Sequence, residues 1–226
     1  MKFTPIFAFV AVVVPAALTG IQAVAAPVVH TSQAVFNAAV APFPMGTDTF
    51  SAYTTGASLP NSVTRTNGSF TYTASDPLGL FQGATADGFL TNDNRGSIIT
   101  LNGFTPGINA IGAIFFGSTL AGLFGAGESI TVSFLESSGA SFSTTLTNTT
   151  RLTFLGYRGD SNISSVTFRS ALAASLWPSI DNLTIPAVTV PEPMTLSLVV
   201  SRWSVWRCRP LASPAARLPT PERRAL

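Results

Sequence analysis

Between about residues 50 and 185 the chain consists of short runs in which apolar and small polar side chains alternate. In SFTYTA, Phe70, Tyr72 and Ala74 share one face and threonines occupy the other. A period of two is the side-chain spacing of a half-buried β-strand. SITVSF and FSTTL repeat the pattern on either side of ESSGAS, which predicts a β-hairpin. This alternation favours an antiparallel all-β fold.

Four further runs complete the predicted sheets. INAIGAIFFG is apolar at successive positions, which indicates a central strand covered on both faces. RLTFLGY, ISSVTF and SIDNLTI supply three more strands. About eight strands at a spacing of roughly ten residues predict an antiparallel β-sandwich of the jelly-roll type over residues 47–186. Its predicted core residues are Ile114, Phe116, Ile130, Val132, Phe134, Phe154 and Phe168.

Helical spacing is confined to TSQAVFNAAV, residues 31–40. Thr31 or Ser32 is a candidate N-cap, because short hydroxyl side chains accept hydrogen bonds from the first free N–H groups of a helix. Residues 26–46 are therefore predicted to form an N-terminal segment with one short helix.

Charged residues are few and unevenly placed. Lys2 is the only lysine, and six of the eleven arginines lie in the last 25 residues. Between Ala26 and Val190 five arginines are outnumbered by eight acidic residues, so this part carries a net charge of −3. Proteins that bind nucleic acid present clustered cationic side chains. No nucleic-acid partner is predicted.

Residues 1–25 have the organisation of a secretory signal peptide. Lys2 provides the positive start, residues 6–18 form an apolar core, and Ala23-Val24-Ala25 is a small-x-small cleavage site. Cleavage after Ala25 leaves Ala26 as the first mature residue, because a cut one residue later would place Pro27 directly after it. The mature protein is expected to be exported.

The usual catalytic groups are scarce. Nucleophilic triads need an imidazole, and the one histidine, His30, is expected to be a mobile terminal residue. Glu128 and Glu136 flank one predicted strand and would lie about 27 Å apart, whereas glycosidase carboxylates lie about 5 to 9.5 Å apart. No catalytic residue is predicted, and a non-enzymatic protein is expected. Whether other carboxylates converge stays open, so a secreted hydrolase is one alternative.

Two patterns suggest binding. Asp87, Asn92, Asp93 and Asn94 in ADGFLTNDN crowd oxygen ligands into one loop, with Asp87 and Asp93 as the carboxylates of a hypothetical Ca²⁺ site. Asn and Asp also form ordinary turns. Aromatic side chains either offer faces for stacking on sugars or fill the core; the candidates are Tyr53, Tyr72, Tyr157 and Trp177.

The segment after the predicted sandwich carries a recognisable motif. Val190, Pro191, Glu192 and Pro193 are followed by a mostly apolar run of seven residues, 194–200, and then by an arginine- and tryptophan-rich sequence. The chain thus resembles the PEP-CTERM family of exported bacterial proteins, whose C-terminal signal comprises this motif, a membrane-spanning helix and an arginine cluster. DTFSAYTTGASLP, FTPGINAIGAIFFG and SSVTF are similar to the jelly-roll bodies of many members.

The resemblance implies a location and a partner. Members reach the envelope or extracellular matrix of Gram-negative bacteria, often beside exopolysaccharide production in biofilms, and an exosortase-type membrane protease reads their signal. The first hypothesis is therefore an exported, non-enzymatic surface or matrix protein, adhesive or associated with extracellular polysaccharide. The alternative is a carbohydrate-binding module with structural calcium, and a secreted hydrolase comes third.

The end of the chain departs from the family pattern. The mostly apolar run of seven residues in 187–200 would rise only about 10 Å as a helix, a third of the ~30 Å hydrocarbon layer. Residues 201–226 are rich in Arg and Pro and are predicted to be disordered. We interpret this as a reading-frame shift near Val200 that removed the anchor. The exported protein is then expected in the periplasm or outside the cell, without membrane retention.

Overall fold

The computed structural model describes residues 26–53, 55–84, 88–171 and 176–186. They form two antiparallel β-sheets that pack face to face, so the predicted β-sandwich is confirmed. The signal peptide, Asp87, the motif at residues 190–193 and the tail lie outside the described residues.

The described residues contain fifteen strands and one helix, in this order: β1 (Val28–His30), α1 (Gln33–Val40), β2 (Met45–Asp48), β3 (Ser58–Leu59), β4 (Ser62–Asn67), β5 (Phe70–Ser75), β6 (Leu80–Gln82), β7 (Leu90–Asn92), β8 (Ile99–Asn102), β9 (Ala110–Ser118), β10 (Phe124–Gly125), β11 (Glu128–Glu136), β12 (Ser141–Thr149), β13 (Phe154–Arg158), β14 (Ile163–Ser170) and β15 (Trp177–Pro186). About eight strands were expected from the sequence. The additional ones include five strands of two or three residues, which are too short to show an alternation.

One sheet has nine strands and the other has six. The larger sheet runs β1-β13-β9-β15-β7-β6-β3, with β10 beside β9 and β2 beside β15; the smaller runs β12-β11-β14-β8-β5-β4. The hairpin predicted around ESSGAS is the β11–β12 pair, in which Phe134 lies opposite Phe142. Since β1 pairs with β13, the 26–46 segment contributes a strand to the larger sheet.

The main core lies between the two sheets and contains four of the predicted core residues, Ile130, Val132, Phe134 and Phe168. The rings of Phe134 and Tyr157 stack with their centroids 4.8 Å apart. Such aromatic side chains remove large apolar areas from water, which is the dominant stabilising contribution to folding.

A second cluster lies on the outer face of the nine-stranded sheet, where α1 covers it. It contains the other three predicted core residues, Ile114, Phe116 and Phe154. Because successive side chains of a strand point to opposite faces, β9 contributes Phe115 to the interior and Phe116 to this outer cluster. All nine residues of β9 are buried, as predicted for a strand covered on both sides.

Two glycines form a notch that receives α1. A Cβ at Gly156 would lie 2.5 Å from a ring carbon of Phe36, and one at Gly112 would lie 2.8 Å from another. Phe36 is fully buried in this notch. The backbone N–H of Phe36 donates to the carbonyl of Ser32, but the side chain of Ser32 makes no capping bond. The helix therefore owes its position to packing of its apolar face.

The expectation that His30 is a mobile terminal residue is wrong. His30 ends β1 opposite Gly156, and its ring meets the ring of Phe36 edge-on with centroids 5.6 Å apart. The aromatic contact and the strand pairing hold the residue in place.

No helix in the described part of the chain has the length and apolar character needed to span a bilayer.

Candidate functional site

A groove lies beside α1 on the outer face of the nine-stranded sheet. It consists of two adjoining cavities of about 580 and 550 Å³ that share Gln33, Ile114 and Leu152 in their walls. Binding pockets for small ligands commonly measure about 300 to 1,000 Å³. The volume of each cavity is thus within the range of small-ligand binding pockets.

The first cavity has an apolar floor and a polar rim. Its floor is formed by Phe89, Ile114 and Phe116, all of which are buried. Phe116 contacts Phe89 and Phe124 edge-to-face, with centroid separations of 5.1 and 5.6 Å. The polar residues of the wall are Gln33, Thr49, Ser51, Arg151, Asp181 and Asn182.

A β-bulge in β15 brings two of these polar residues to the cavity. The pairing of β15 with β9 shifts register between Asp181 and Thr184, and Asn182 has a φ of 50°. The N–H of Asn182 donates to the Asp181 carboxylate at 2.6 Å. Bulges re-aim side chains at the places where they interrupt a ladder. The side chains of Asp181 and Asn182 therefore line the cavity side by side.

Arg151 also lines the first cavity. Its guanidinium carbon lies 5.5 Å from the centroid of the Phe124 ring, a distance at which the cation and the ring quadrupole attract each other. Phe124 belongs to the short strand β10, which pairs with the end of β9. The contact holds the cation beside Phe124, whose ring packs on Phe116 of the floor.

The second cavity lies against the first turn of α1. Thr31, Ser32, Gln33, Ala34 and Asn37 line it together with Ile114, Leu152 and Phe154. The side-chain oxygen of Asn37 is buried and has no hydrogen-bond partner. A buried polar atom normally finds a partner, which this amide can obtain by rotating its oxygen toward a ligand donor in the cavity that Asn37 lines.

Leu152 stands between the two cavities with 85% of its surface exposed. The turn that carries it is fixed by hydroxyl groups: the N–H of Thr150 donates to the Thr153 hydroxyl at 2.8 Å, and the N–H of Leu152 donates to the Thr150 hydroxyl at 3.2 Å. RLTFLGY was predicted to be a strand throughout, but β13 begins only at Phe154. These hydroxyl bonds stabilise a turn at the start of the run.

The predicted calcium residues are only partly accounted for. Asp87 lies outside the described residues, Asp93 is exposed, and the Asn94 side chain accepts a bond from the N–H of Gly96. No group of three or more acidic, His or Cys side chains suited to a metal ion occurs in the part of the chain that the structure describes. The pairing of Asp87 with Asp93 stays a prediction.

The predicted aromatic candidates divide into two classes. Tyr72 and Tyr157 are buried in the core, where their hydroxyls donate to Asp48 and Glu136 at 2.7 and 2.6 Å. The idea that they stack on sugars is therefore wrong. Tyr53 and Trp177 are half-buried, and each has an arginine over its ring, at 4.6 Å for Arg65 on Tyr53 and 5.3 Å for Arg95 on Trp177.

The two buried glutamates of β11 have structural roles. Glu128 and Glu136 lie at the two ends of β11, as the sequence indicated, and each accepts its own hydrogen bonds. Burial tends to raise the pKa of Glu136, but the bonds from Tyr157 and Ser161 outweigh that effect and hold the pKa below its ordinary value. These acids are committed to packing and do not form a catalytic pair.

Comparison with known proteins identifies no family for this chain. No protein-family model and no curated protein matches the chain. Among solved structures, the CBM22-1 xylan-binding domain of Paenibacillus barcinonensis Xyn10C aligns with 12% identity and a TM-score of 0.30, over 62% of this chain and 100% of that domain. At this degree of similarity no ligand is inferred from it.

Proposed function

We propose that this chain is an exported, non-enzymatic protein of the bacterial envelope or extracellular matrix that binds an extended polysaccharide in the groove beside α1. The observation that carries the proposal is the pair of adjoining cavities with the unpartnered Asn37 oxygen in one of them. Two cavities in series suit a ligand that repeats, because neighbouring units of a polymer can occupy both.

The chemistry of the lining matches a sugar. Sugar rings combine apolar C–H faces with hydroxyl groups that both donate and accept hydrogen bonds. The groove offers the apolar surface of Leu152 and Ile114 beside the amides of Gln33 and Asn37. Asp181 adds an acceptor, since an ionised carboxylate only accepts. A few polar groups around an apolar surface are the usual composition of a selective binding site.

Binding is favoured over hydrolysis by the carboxylates. Within the described lining of the groove, Asp181 is the one carboxylate, whereas most glycosidases use two that flank the scissile bond. We therefore assign Asp181 to ligand recognition. Release of reducing ends from a bound polysaccharide would show hydrolysis and would contradict this assignment.

The proposed location comes from the sequence. Residues 1–25 have the pattern of a signal peptide, and the motif at residues 190–193 resembles the sorting signal read by an exosortase-type protease. A polysaccharide outside the cell is a ligand that an exported protein can meet. Because the mostly apolar run after the motif has only seven residues, we propose that the protein acts without a membrane anchor.

Affinity electrophoresis and calorimetry against a panel of neutral and acidic bacterial polysaccharides test the proposal. Asn37→Leu keeps the branched shape of the side chain but removes its polar atoms, and we expect it to weaken binding about fivefold, the equivalent of one lost hydrogen bond. Val35→Ala is the matched control, because Val35 lies on the same helix, is 57% exposed and is not part of the groove.

Two results would overturn the proposal. One is that no polysaccharide in the panel binds the folded mature protein. The other is that Asn37→Leu and Val35→Ala bind the ligand equally well, since the groove beside α1 would then not be the binding site.

A further inference from the structure

A buried polar cluster joins the two sheets at the turn after β5. Asp76 is completely buried, and its carboxylate accepts bonds from the N–H of Leu78 at 2.8 Å, the Ser97 hydroxyl at 2.6 Å and the Asn92 side-chain amide at 2.8 Å. Asp76 follows a strand of the six-stranded sheet, and Asn92 ends β7 in the nine-stranded sheet. The cluster therefore connects the sheets across the sandwich.

Asn92 leaves one atom of this cluster unpartnered. The residue is 2% exposed, its amide nitrogen donates to Asp76, and its side-chain oxygen has no hydrogen-bond partner. Rotating the amide does not help, because the oxygen would then face the Asp76 carboxylate and both groups are acceptors. A buried acceptor beside a buried carboxylate calls for a donor or a cation.

The geometry of the pair suits one divalent ion. In a carboxamide the nitrogen and oxygen lie about 2.2 Å apart, as its bond lengths require. Because Asn92 Nδ2 lies 2.8 Å from Asp76 Oδ2, Asn92 Oδ1 lies within about 5 Å of that carboxylate oxygen. Calcium bonds oxygen at about 2.3 to 2.6 Å, so this separation is within the span that one ion can bridge.

The charge of the cluster points in the same direction. The groups bonded to Asp76 are neutral donors, and no ion pair to Asp76 is found among the described residues. A buried carboxylate is costly unless it is paired with a positive charge. We propose that Asp76 and the side-chain oxygen of Asn92 bind Ca²⁺.

Further oxygen atoms flank the turn that carries Asp76. A Cβ at Gly79 would lie 3.1 Å from Asp93 Oδ2 and 3.9 Å from Asn61 Oδ1, and Gly79 has a φ of +115°, where a side chain is disfavoured. The N–H of Gly79 donates to the Asp76 carbonyl, and the N–H of Asp93 donates to the Gly79 carbonyl. Calcium takes six to eight oxygen ligands, and the proposal assigns the remaining positions to Asp93 and water.

This site shares Asp93 with the site expected from the sequence but has a different centre. The loop pattern indicated Asp87 and Asp93, whereas the structure singles out Asp76, which lies outside that loop. The proposal does not depend on polysaccharide binding, because none of Asp76, Asn92 or Asp93 lines the groove.

Calorimetric titration of the chelator-treated mature protein with CaCl₂ alone, together with its melting temperature at rising Ca²⁺ concentration, tests the proposal. Since an ion that binds only the folded chain stabilises it by mass action, the melting temperature should rise with Ca²⁺ concentration. Asp76→Asn should weaken Ca²⁺ binding at least tenfold, because calcium affinity follows the number of charged ligands.

Asn92→Asp separates a metal site from a purely structural cluster. It should lower the melting temperature in chelator, because two carboxylates then lie side by side, and it should tighten Ca²⁺ binding by adding a charged ligand. Asn94→Asp is the matched control, since it adds the same charge at an exposed position two residues away and should leave the affinity unchanged.

Three outcomes would overturn the proposal. The first is that the wild-type protein shows neither binding heat nor a Ca²⁺-dependent melting temperature, in which case water satisfies Asn92. The second is that Ca²⁺ binding persists unchanged in a folded Asp76→Asn protein. The third is that Asn94→Asp tightens Ca²⁺ binding as much as Asn92→Asp, which would place the ion in the exposed loop.

Discussion

At the scale of single residues, buried charges are the features that most constrain this molecule. Asp48 accepts bonds from Arg65 at 2.6 Å, from the Tyr72 hydroxyl at 2.7 Å and from the N–H of Phe50 at 2.8 Å. Burial tends to raise the pKa of Asp48, but these bonds and the charge of Arg65 outweigh it and hold the pKa below its ordinary value of 3.8. The ionised carboxylate is thus part of the folded structure.

The Asp48 network predicts how stability depends on pH. Since the folded-state pKa is depressed, the stabilisation is fully present above the unfolded pKa and is lost as pH falls through the lower folded pKa. Asp48→Asn should cost about 3 to 5 kcal/mol at neutral pH by leaving Arg65 buried without its partner. Urea denaturation from neutral pH downward should show a smaller acid-induced loss in this variant than in the wild type.

The control for this prediction is Asp160→Asn. Asp160 is exposed, and changes at such surface positions usually alter the free energy of unfolding by no more than about 0.5 kcal/mol. If Asp48→Asn and Asp160→Asn lost the same stability at neutral pH, the network would not stabilise the fold in the way described.

At the scale of elements, the groove depends on how α1 packs against the nine-stranded sheet. Gly156 and Gly112 leave space for the Phe36 ring, and the groove opens beside the first turn of the helix. A single methyl group at either position would occupy space that the ring now fills. The position of one short helix therefore links the packing of the sheet to the proposed binding site.

Gly156→Ala tests this link. The added Cβ would lie 2.5 Å from Phe36, and overpacking of this kind typically costs about 1 to 3 kcal/mol. We expect α1 to shift and polysaccharide affinity to fall, while circular dichroism still shows a β-sheet spectrum. Gly96→Ala is the control, because its nearest neighbour would lie at 3.6 Å, an ordinary contact. If Gly156→Ala bound polysaccharide with unchanged affinity, binding would not require the observed position of α1.

At the scale of the whole molecule, the proposed export pathway and the described fold are compatible. Cleavage after Ala25 leaves two residues before β1, whose pairing with β13 stays intact in the mature chain. The strand that closes one edge of the larger sheet thus begins just after the predicted cleavage site.

Exported material should begin at Ala26 and should fractionate with soluble proteins. Replacing residues 201–226 with an apolar helix of about 20 residues and an arginine cluster should restore membrane association in a host that has the protease, because such a helix spans the bilayer. N-terminal sequencing and cell fractionation measure both outcomes. If the wild-type protein were bound to the membrane and had lost its tail at residues 190–193, this would contradict the proposal that it acts without a membrane anchor.

Several features of this protein were predictable from the sequence alone. The alternation in SITVSF and FSTTL identified the β11–β12 hairpin, and the apolar run in INAIGAIFFG identified β9 as covered on both faces. These patterns are readable because the geometry of a strand imposes a period of two on whichever side chains must leave water. The seven predicted core residues are buried for the same reason.

The groove and the proposed calcium site were decided by tertiary structure. Gln33, Leu152 and Asp181 meet in one groove although they are far apart in the chain, and Asp76 reaches Asn92 across two sheets. Local sequence contains no signal for such meetings, because strand register and sheet packing depend on distant partners. Equally, Tyr72 lies in a predicted strand and Trp177 just before one, and only the packing of the sheets buried the first and left the second half-buried.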